Sequence, residues 1–259
     1  MSPVPAVFVH GNPETAAVWT PLLRELGRDD VTCLSPPGFG APLPAGFEAT
    51  VGGYRDWLSA ELEAFDEPVD LVGHDWGGGH VLGVAMTRPD LLRSWVSDAV
   101  GIFDPDYVWH DLAREWQTPG DGEAAVARRF GAGLAERVAS LVDRGITAPV
   151  AEQVAAGQDE AMGRAVLTLY RSAAQPVMAR LGEHLPGAAR RPGLAVVATA
   201  DHVGGTEEQR HRSAARAGAA TAVLPGLGHW WMVQEPRTGA RALRTFWGSL
   251  PIPQSSVQP

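Results

Sequence analysis

Cysteine is almost missing: Cys33 is the single one in 259 residues. One thiol cannot build an internal disulfide framework and excludes a multi-cysteine zinc site. At the end of an apolar run, Cys33 is expected to be a small core residue. Basic charge is also scarce. Lys and Arg number 21 against 30 Asp and Glu, a net charge of -9, so no excess is available to neutralise phosphates and no nucleic-acid partner is expected. No apolar run reaches the roughly 18 residues of a membrane span. The first residues, MSPVPAVFVHG, lack the basic region and long apolar stretch of a targeting segment, so a cytoplasmic protein without membrane attachment is expected. His184, His202 and His211 show no metal-ligand spacing and no nucleotide motif is present. Neither metal nor cofactor is expected.

What is present is an ordinary globular composition, 45% hydrophobic and 20% charged, in a length that suits one large domain or a domain with an insertion. Short runs rich in Val, Leu and Ala, bounded by Gly and Pro, predict strands at Ala6–Val9, Val31–Leu34, Val69–Val72, Ser94–Ala99, Leu194–Thr199 and Thr221–Leu224. Helical patterns fall between them, at Ala16–Leu26, Val51–Phe65, Gly77–Thr87, Glu207–Ala217 and Pro236–Trp247. Near-continuous apolar strands alternating with amphipathic helices predict an α/β fold with a mostly parallel sheet of about six strands, covered by helices on both faces. Reactive groups in such sheets collect at the carboxyl edge of the strands. The alternation stops from Phe103 to Arg191, where only helical patterns occur. The expected organisation is a core of residues 1–102 and 192–251, a helical cap of residues 103–191 and a flexible tail of residues 252–259.

The most informative stretch is DLVGHDWGGGHVLG, Asp70 to Gly83. A strand ends in the turn Gly73-His74-Asp75-Trp76-Gly77 and a helix follows. A sharp turn strains the backbone of its central residue, and the flanking glycines leave room for it. The geometry is that of a nucleophile elbow, which holds a side chain beside the first N–H groups of a helix; those groups and the helix dipole favour an ionised Asp75. Taken alone, a helix-capping Asp at a Gly-rich turn reads equally well. Two further residues at strand ends shift the balance. His229 lies in PGLGHWW after the last strand, and Asp201 in VVATADH after the strand before it, able to orient and charge-stabilise an imidazole. The order nucleophile, acid, histidine is one in which a catalytic triad occurs. Asp98, after the fourth strand, is an alternative acid. In VFVHGNPET the loop His10-Gly11-Asn12-Pro13 would lie beside the elbow, its backbone supplying one oxyanion donor and the N–H of Trp76 the other. His74 and His80 read as interior residues.

With GHDWGG and HGNP in place, the chain resembles the α/β-hydrolase superfamily over its whole length, in particular the aspartate-nucleophile branch of epoxide hydrolases and haloalkane and fluoroacetate dehalogenases. The resemblance implies an α/β-hydrolase fold with a cap, starting on what is usually the third strand. It also implies a cofactor-free reaction in which Asp75 displaces a leaving group from saturated carbon. His229, oriented by Asp201, then activates water against the resulting ester. By the same resemblance Tyr170, in LTLYRSA, matches a cap tyrosine that assists epoxide opening, and His110, beside Trp109 in YVWHDLAREWQTP, stands at the other donor position, with Tyr107 as a substitute. Asn12 and Trp76 match the halide-holding pair of a dehalogenase subgroup. Arginine after the nucleophile, as in fluoroacetate dehalogenases, is replaced by Trp76. Trp109, Trp116 and Trp230 are candidates for the pocket wall, suited to an apolar small molecule. Epoxide hydrolysis is the expectation, with haloalkane dehalogenation as the alternative and a non-catalytic small-molecule receptor behind both; the sequence leaves the oligomeric state open.

Overall fold

The computed structural model describes residues 4–251, and the polar stretch assigned to a tail lies outside the described residues. Six parallel strands form one sheet in the order β2-β1-β3-β4-β5-β6: β1 Ala6–Val9, β2 Val31–Leu34, β3 Val69–Gly73, β4 Leu92–Ser97, β5 Gly193–Ala198 and β6 Ala220–Leu224. The burial of the strands follows their place. β1, β3 and β5 are buried at every position, as continuous apolar runs covered on both faces must be. The edge strands β2 and β6 are partly or largely exposed, apart from the buried Leu224 at the end of β6. Cys33 therefore differs from expectation: it is an exposed thiol on edge strand β2, not a core residue.

Helices α1 Thr20–Leu26, α2 Val51–Leu62, α3 Trp76–Thr87, α10 Glu207–Arg216 and α12 Pro236–Ser249 join or flank the strands, with the short α11 Trp231–Gln234 before the last. The pattern read as one helix over 16–26 is a 3₁₀ turn, Ala16–Trp19, followed by α1; Pro21, near the start of α1, supplies no N–H to continue a helix across the junction. β4 ends at Ser97, two residues before the expected end. The Ser97 hydroxyl accepts the Ala99 N–H at 3.1 Å and turns the chain into a 3₁₀ segment, Val100–Phe103. Between β4 and β5 lie α4 Asp111–Gln117, α5 Asp121–Phe130, α6 Leu134–Asp143, α7 Ala148–Ala156, α8 Glu160–Ser172 and α9 Val177–Gly182. Gln158, ahead of α8, donates to the Pro13 carbonyl at 2.8 Å and so fastens these helices to the loop after β1. Among the described residues no helix is long and apolar enough to cross a membrane.

The strand order locates the functional edge. From β1 the chain first crosses to β2 on one side, then returns to β3 on the other, so the winding reverses between β1 and β3. At such a switch point the loops leaving adjacent strands part and leave a crevice. Val9 pairs with Gly73 and Gly73 with Ser97. The residues that follow these three strand ends therefore emerge side by side.

Candidate active site

Asp75 leaves β3 with φ 50 and ψ −126, the one non-glycine residue of positive φ among the described residues. Such a backbone costs about 1–3 kcal/mol and persists only when its surroundings hold it. Here the Asp75 N–H donates to Asp98 Oδ1 at 2.8 Å, and its carbonyl accepts the Gly79 N–H at 3.0 Å. Close approach is allowed by glycine at two places: a Cβ on Gly77 would strike the carbonyls of Val9 and His10, and one on Gly11 would strike the Asp75 side chain itself. The turn therefore presses the Asp75 carboxylate against the loop after β1, where the Asn12 N–H donates to its Oδ1 at 3.0 Å. Burial raises the carboxyl pKa to about 6, an effect partly offset by the nearby charges of His229 and His74.

His229 points at this carboxylate from the loop after β6. Its Nε2 is 3.8 Å from Asp75 Oδ2 and its Nδ1 is 3.2 Å from Asp201 Oδ2. Burial alone would lower the imidazole pKa, but the charge and hydrogen bond of Asp201 and the charge of Asp75 together outweigh it and the net shift is upward. The Asp201 loop is rigidly fastened. Val203 N–H donates to Asp201 Oδ1 at 2.8 Å, and the buried Arg210 guanidinium donates to the backbone carbonyls of Asp201 and Ala198 at 2.6 and 2.9 Å. The adjacent His229 charge keeps the Asp201 carboxyl well below its usual range despite burial. Asp98, the alternative acid, also lines the site but is not paired with His229: its oxygens accept from His74 Nδ1 at 2.6 Å, Trp231 Nε1 at 2.7 Å and the Asp75 N–H.

Asp75, Trp76, Asp201 and His229 line a cavity roofed by Tyr107, Trp109, His110 and Tyr170. The space open to the centre of a water molecule is about 20 Å³, room for roughly one water, so a substrate must be small or must part the roof. The roof groups differ in what they have free. The Tyr107 hydroxyl donates to the Val203 carbonyl at 2.8 Å and is thereby engaged. His110 begins α4, and its Nδ1 accepts the Ala113 N–H at 3.2 Å; an acceptor at Nδ1 leaves the proton on Nε2. Burial holds this imidazole down at about 4, so it is neutral near pH 7 and a donor. Burial, and then the Asp75 charge, push the Tyr170 hydroxyl far above its ordinary value. Trp109 stacks on Trp76 at 5.7 Å between centroids and donates to the Ala173 carbonyl at 3.2 Å.

Three residues singled out in the sequence stand outside the lining. Trp116 packs behind Tyr170, 4.8 Å between ring centroids. Trp230 points away from the cavity and donates through Nε1 to Glu14. The Asn12 side chain is buried, with neither its oxygen nor its nitrogen hydrogen-bonded, while its backbone alone reaches Asp75.

A second polar layer lies beneath the cavity, and its roles are absent from the sequence reading. His74 is fully buried between two carboxylates, Asp98 at Nδ1 and Glu14, whose Oε1 is 3.3 Å from Nε2. Burial opposes its charge, but the two carboxylates overcome this and raise its pKa well above 6.5. Glu14 is held down at about 2 by the His74 charge, against its own burial. Ligand atoms of Glu14, His74 and His229 lie within 4.8 Å of one another, a spacing able to hold a metal ion. A protonated His74, however, offers no lone pair to a metal. The signal for this layer was a set of polar residues, Glu14, His74 and Asp98, each within a few positions of the end of an apolar strand.

Comparison with known proteins agrees with this architecture. The profile of the Alpha/beta hydrolase family matches residues 6–242. A haloalkane dehalogenase of Agrobacterium fabrum is 32% identical over 139 residues, 48% of this chain and 43% of that protein. Haloalkane dehalogenase 2 of Mycobacterium tuberculosis is 28% identical over 196 residues, 70% of this chain and 65% of its own length. The chain thus spans less than two thirds of these relatives. The crystal structure of haloalkane dehalogenase DbeA from Bradyrhizobium elkani superposes with a TM-score of 0.69 at 20% identity, covering 96% of this chain and 93% of that one. The chain belongs to the alpha/beta hydrolase family, and its six-stranded sheet and helices form the α/β-hydrolase fold.

Proposed function

We propose that the protein hydrolyses a small epoxide through a covalent ester on Asp75, with helices α4–α9 as the cap over the site. The observation that carries this reading is the pairing, across one cavity, of an Asp75–His229–Asp201 array with two donors that meet no acceptor among the described residues, Tyr170 and the Nε2–H of His110. Asp75 Oδ2 attacks a ring carbon; the C–O bond breaks and its electron pair goes to the epoxide oxygen, which takes a proton from Tyr170 or His110. The tyrosine is a weak acid in this setting, so its contribution is a hydrogen bond that strengthens as charge develops, with proton transfer completing the step. His229 Nε2 next removes a proton from water, whose oxygen attacks Cγ of the ester. The oxyanion is held by the N–H groups of Asn12 and Trp76. Collapse releases the diol and restores the carboxylate, and the proton on His229 returns to the cap donor, so one water is consumed.

A carboxylate nucleophile suits this sequence because it forms an ester, which water cleaves, where a serine would form an ether. The second reading is haloalkane dehalogenation, favoured by the names of the relatives and by the unpartnered Asn12 amide. A halide leaves without a proton, so that chemistry has no use for His110 and Tyr170 as acids. Assays of the purified protein on styrene oxide and on ethylene dibromide separate the two. Diol formation from the epoxide is the expected result, and bromide release alone would overturn the first reading in favour of the second. Binding of both compounds without turnover of either would leave a receptor.

A further inference from the structure

A second recess of about 210 Å³ lies among helices α4, α5 and α6, with a lining separate from that of the first. Its walls carry Arg128, Arg129, Arg137 and Arg144 against a single acidic side chain, Glu136. Two of these arginines are already engaged. Arg128 pairs with Glu115 at 2.9 Å, and Arg137 donates to the carbonyls of Ala132 and Phe130 at 2.7 and 3.3 Å. Among the described residues Arg129 and Arg144 have no ion-pair partner, and the Arg129 Nε is buried without a hydrogen-bond acceptor. Burial, and then the charge of Arg144, bring the Arg129 pKa down to about 10. Two neighbouring guanidinium groups, Arg129 partly buried and Arg144 at the exposed rim, repel each other and gain from an anion that joins them.

Two residues of the recess connect to the proposed active site. Leu112 lines it two residues beyond His110, and Gln158 lines it while donating to Pro13, the neighbour of Asn12. The Arg144 charge acts on His110 and that of Arg129 on Tyr170, the two free donors of the roof. The chain as a whole carries a net charge of -9, and the proposed nucleophile is itself an anion. A neutral substrate has no use for paired guanidinium groups at this place, whereas an acidic one needs them to offset both repulsions and to keep its own charge away from Asp75.

We propose that the recess takes the carboxylate end of the substrate, Arg129 and Arg144 forming the clamp, so that the compound opened at Asp75 is an epoxy acid. This inference rests on the epoxide reading above and adds the substrate class. The planar guanidinium fork matches a carboxylate in two parallel hydrogen bonds, which fixes how the remote ring is presented to Asp75.

The test compares a terminal epoxyalkanoate with its primary amide of equal length. The intact protein should favour the acid, and in the Arg129→Gln/Arg144→Gln variant the acid-to-amide ratio of kcat/KM should fall by about tenfold or more, through KM. Arg164→Gln, an exposed cap arginine outside the recess, should leave the ratio alone. Arg144→Gln alone, at the exposed rim, gives the reading if the double variant does not fold. Equal use of acid and amide by the intact protein, or a ratio insensitive to the arginines, overturns the proposal. Calorimetric titration with hexanoate reads the recess without turnover: binding should be present in the intact protein and lost in the double variant. If neither epoxide is consumed, the epoxide reading fails while hexanoate still decides the clamp. Inorganic phosphate binding as tightly as hexanoate would overturn a site built for an alkyl carboxylate.

Discussion

The imidazole rings of His74 and His229 lie 4.6 Å apart between centroids, tilted by 52°, and each has two carboxylates beside it. His74, between Asp98 and Glu14, has its pKa raised well above 6.5; that of His229, between Asp201 and Asp75, is also raised. The His74 charge pushes the pKa of His229 down, while Asp201 pushes it up. A base must be neutral to accept a proton, so the acid limb of the rate profile follows this balance.

Replacing Asp201 with Asn should therefore lower the His229 pKa and move the acid limb of kcat to lower pH. The plateau should also fall, by roughly 10²–10⁴-fold, because the imidazole loses its orienting acceptor. Below about pH 6 the intact protein should lose activity from a second source, protonation of Asp75. Steady-state profiles of both proteins between pH 5 and 9, as roughly the range in which histidine titrates, check this; an acid limb that stays in place would exclude Asp201 as the partner.

The covalent step is open to direct observation. His229→Gln should still form the alkyl ester but hydrolyse it slowly, so that the peptide containing Asp75 gains the mass of the substrate. Asp75→Asn should show neither adduct nor turnover. Mass spectrometry of quenched single-turnover mixtures reads both, and adduct-free His229→Gln with normal substrate consumption would sink the ester mechanism.

The two roof donors should act together. Tyr170→Phe or His110→Phe should slow epoxide opening by roughly 10–100-fold each, and both changes together by more. Tyr107→Phe breaks only the bond to the Val203 carbonyl and should change ring opening much less. Stopped-flow rates for ester formation test the ranking; equal loss in all three variants would mean that the roof acts by packing.

Glu14 ties stability to acidity. Its carboxyl is held at about 2 in the folded chain, against about 4.3 for an unperturbed glutamate. The stabilisation is present above the unfolded value and disappears as pH falls through the folded one. Glu14→Gln should cost about 2 kcal/mol at pH 7, and its deficit relative to the intact protein should shrink steadily between about pH 4.5 and 2. Urea melts at a series of pH values measure it, and a deficit independent of pH would remove the His74–Glu14 ion pair as its cause.

Much of this arrangement can be read from local sequence. Continuous apolar runs reported the buried strands, and Gly73 and Gly77 around Asp75 reported a turn too tight for side chains. What depends on distant partners could not be read. Nothing near Tyr107 reveals that its hydroxyl belongs to Val203, or that Trp230 turns toward Glu14 at the other end of the chain. Asp98 and Asp201 end neighbouring strands and look alike in sequence; only the placement of His74 and His229 separates their partners. Cys33 sits in an apolar run, but burial of an edge strand depends on what covers it, and here the cover reaches Val31 and Leu34 only in part and leaves Cys33 exposed.

The hydrogen bond from Gln158 to the Pro13 carbonyl joins roof and floor mechanically. Pro13 follows Asn12, whose N–H restrains the Asp75 carboxylate. Lifting the helices near Gln158 to admit a substrate would pull on that same loop and slacken the hold on the carboxylate oxygen. Lowering them would draw the amide back into place. Under the proposed mechanism, entry and the setting of Asp75 would then be one motion, and a molecule that fails to let the roof close would meet an aspartate not yet set for attack.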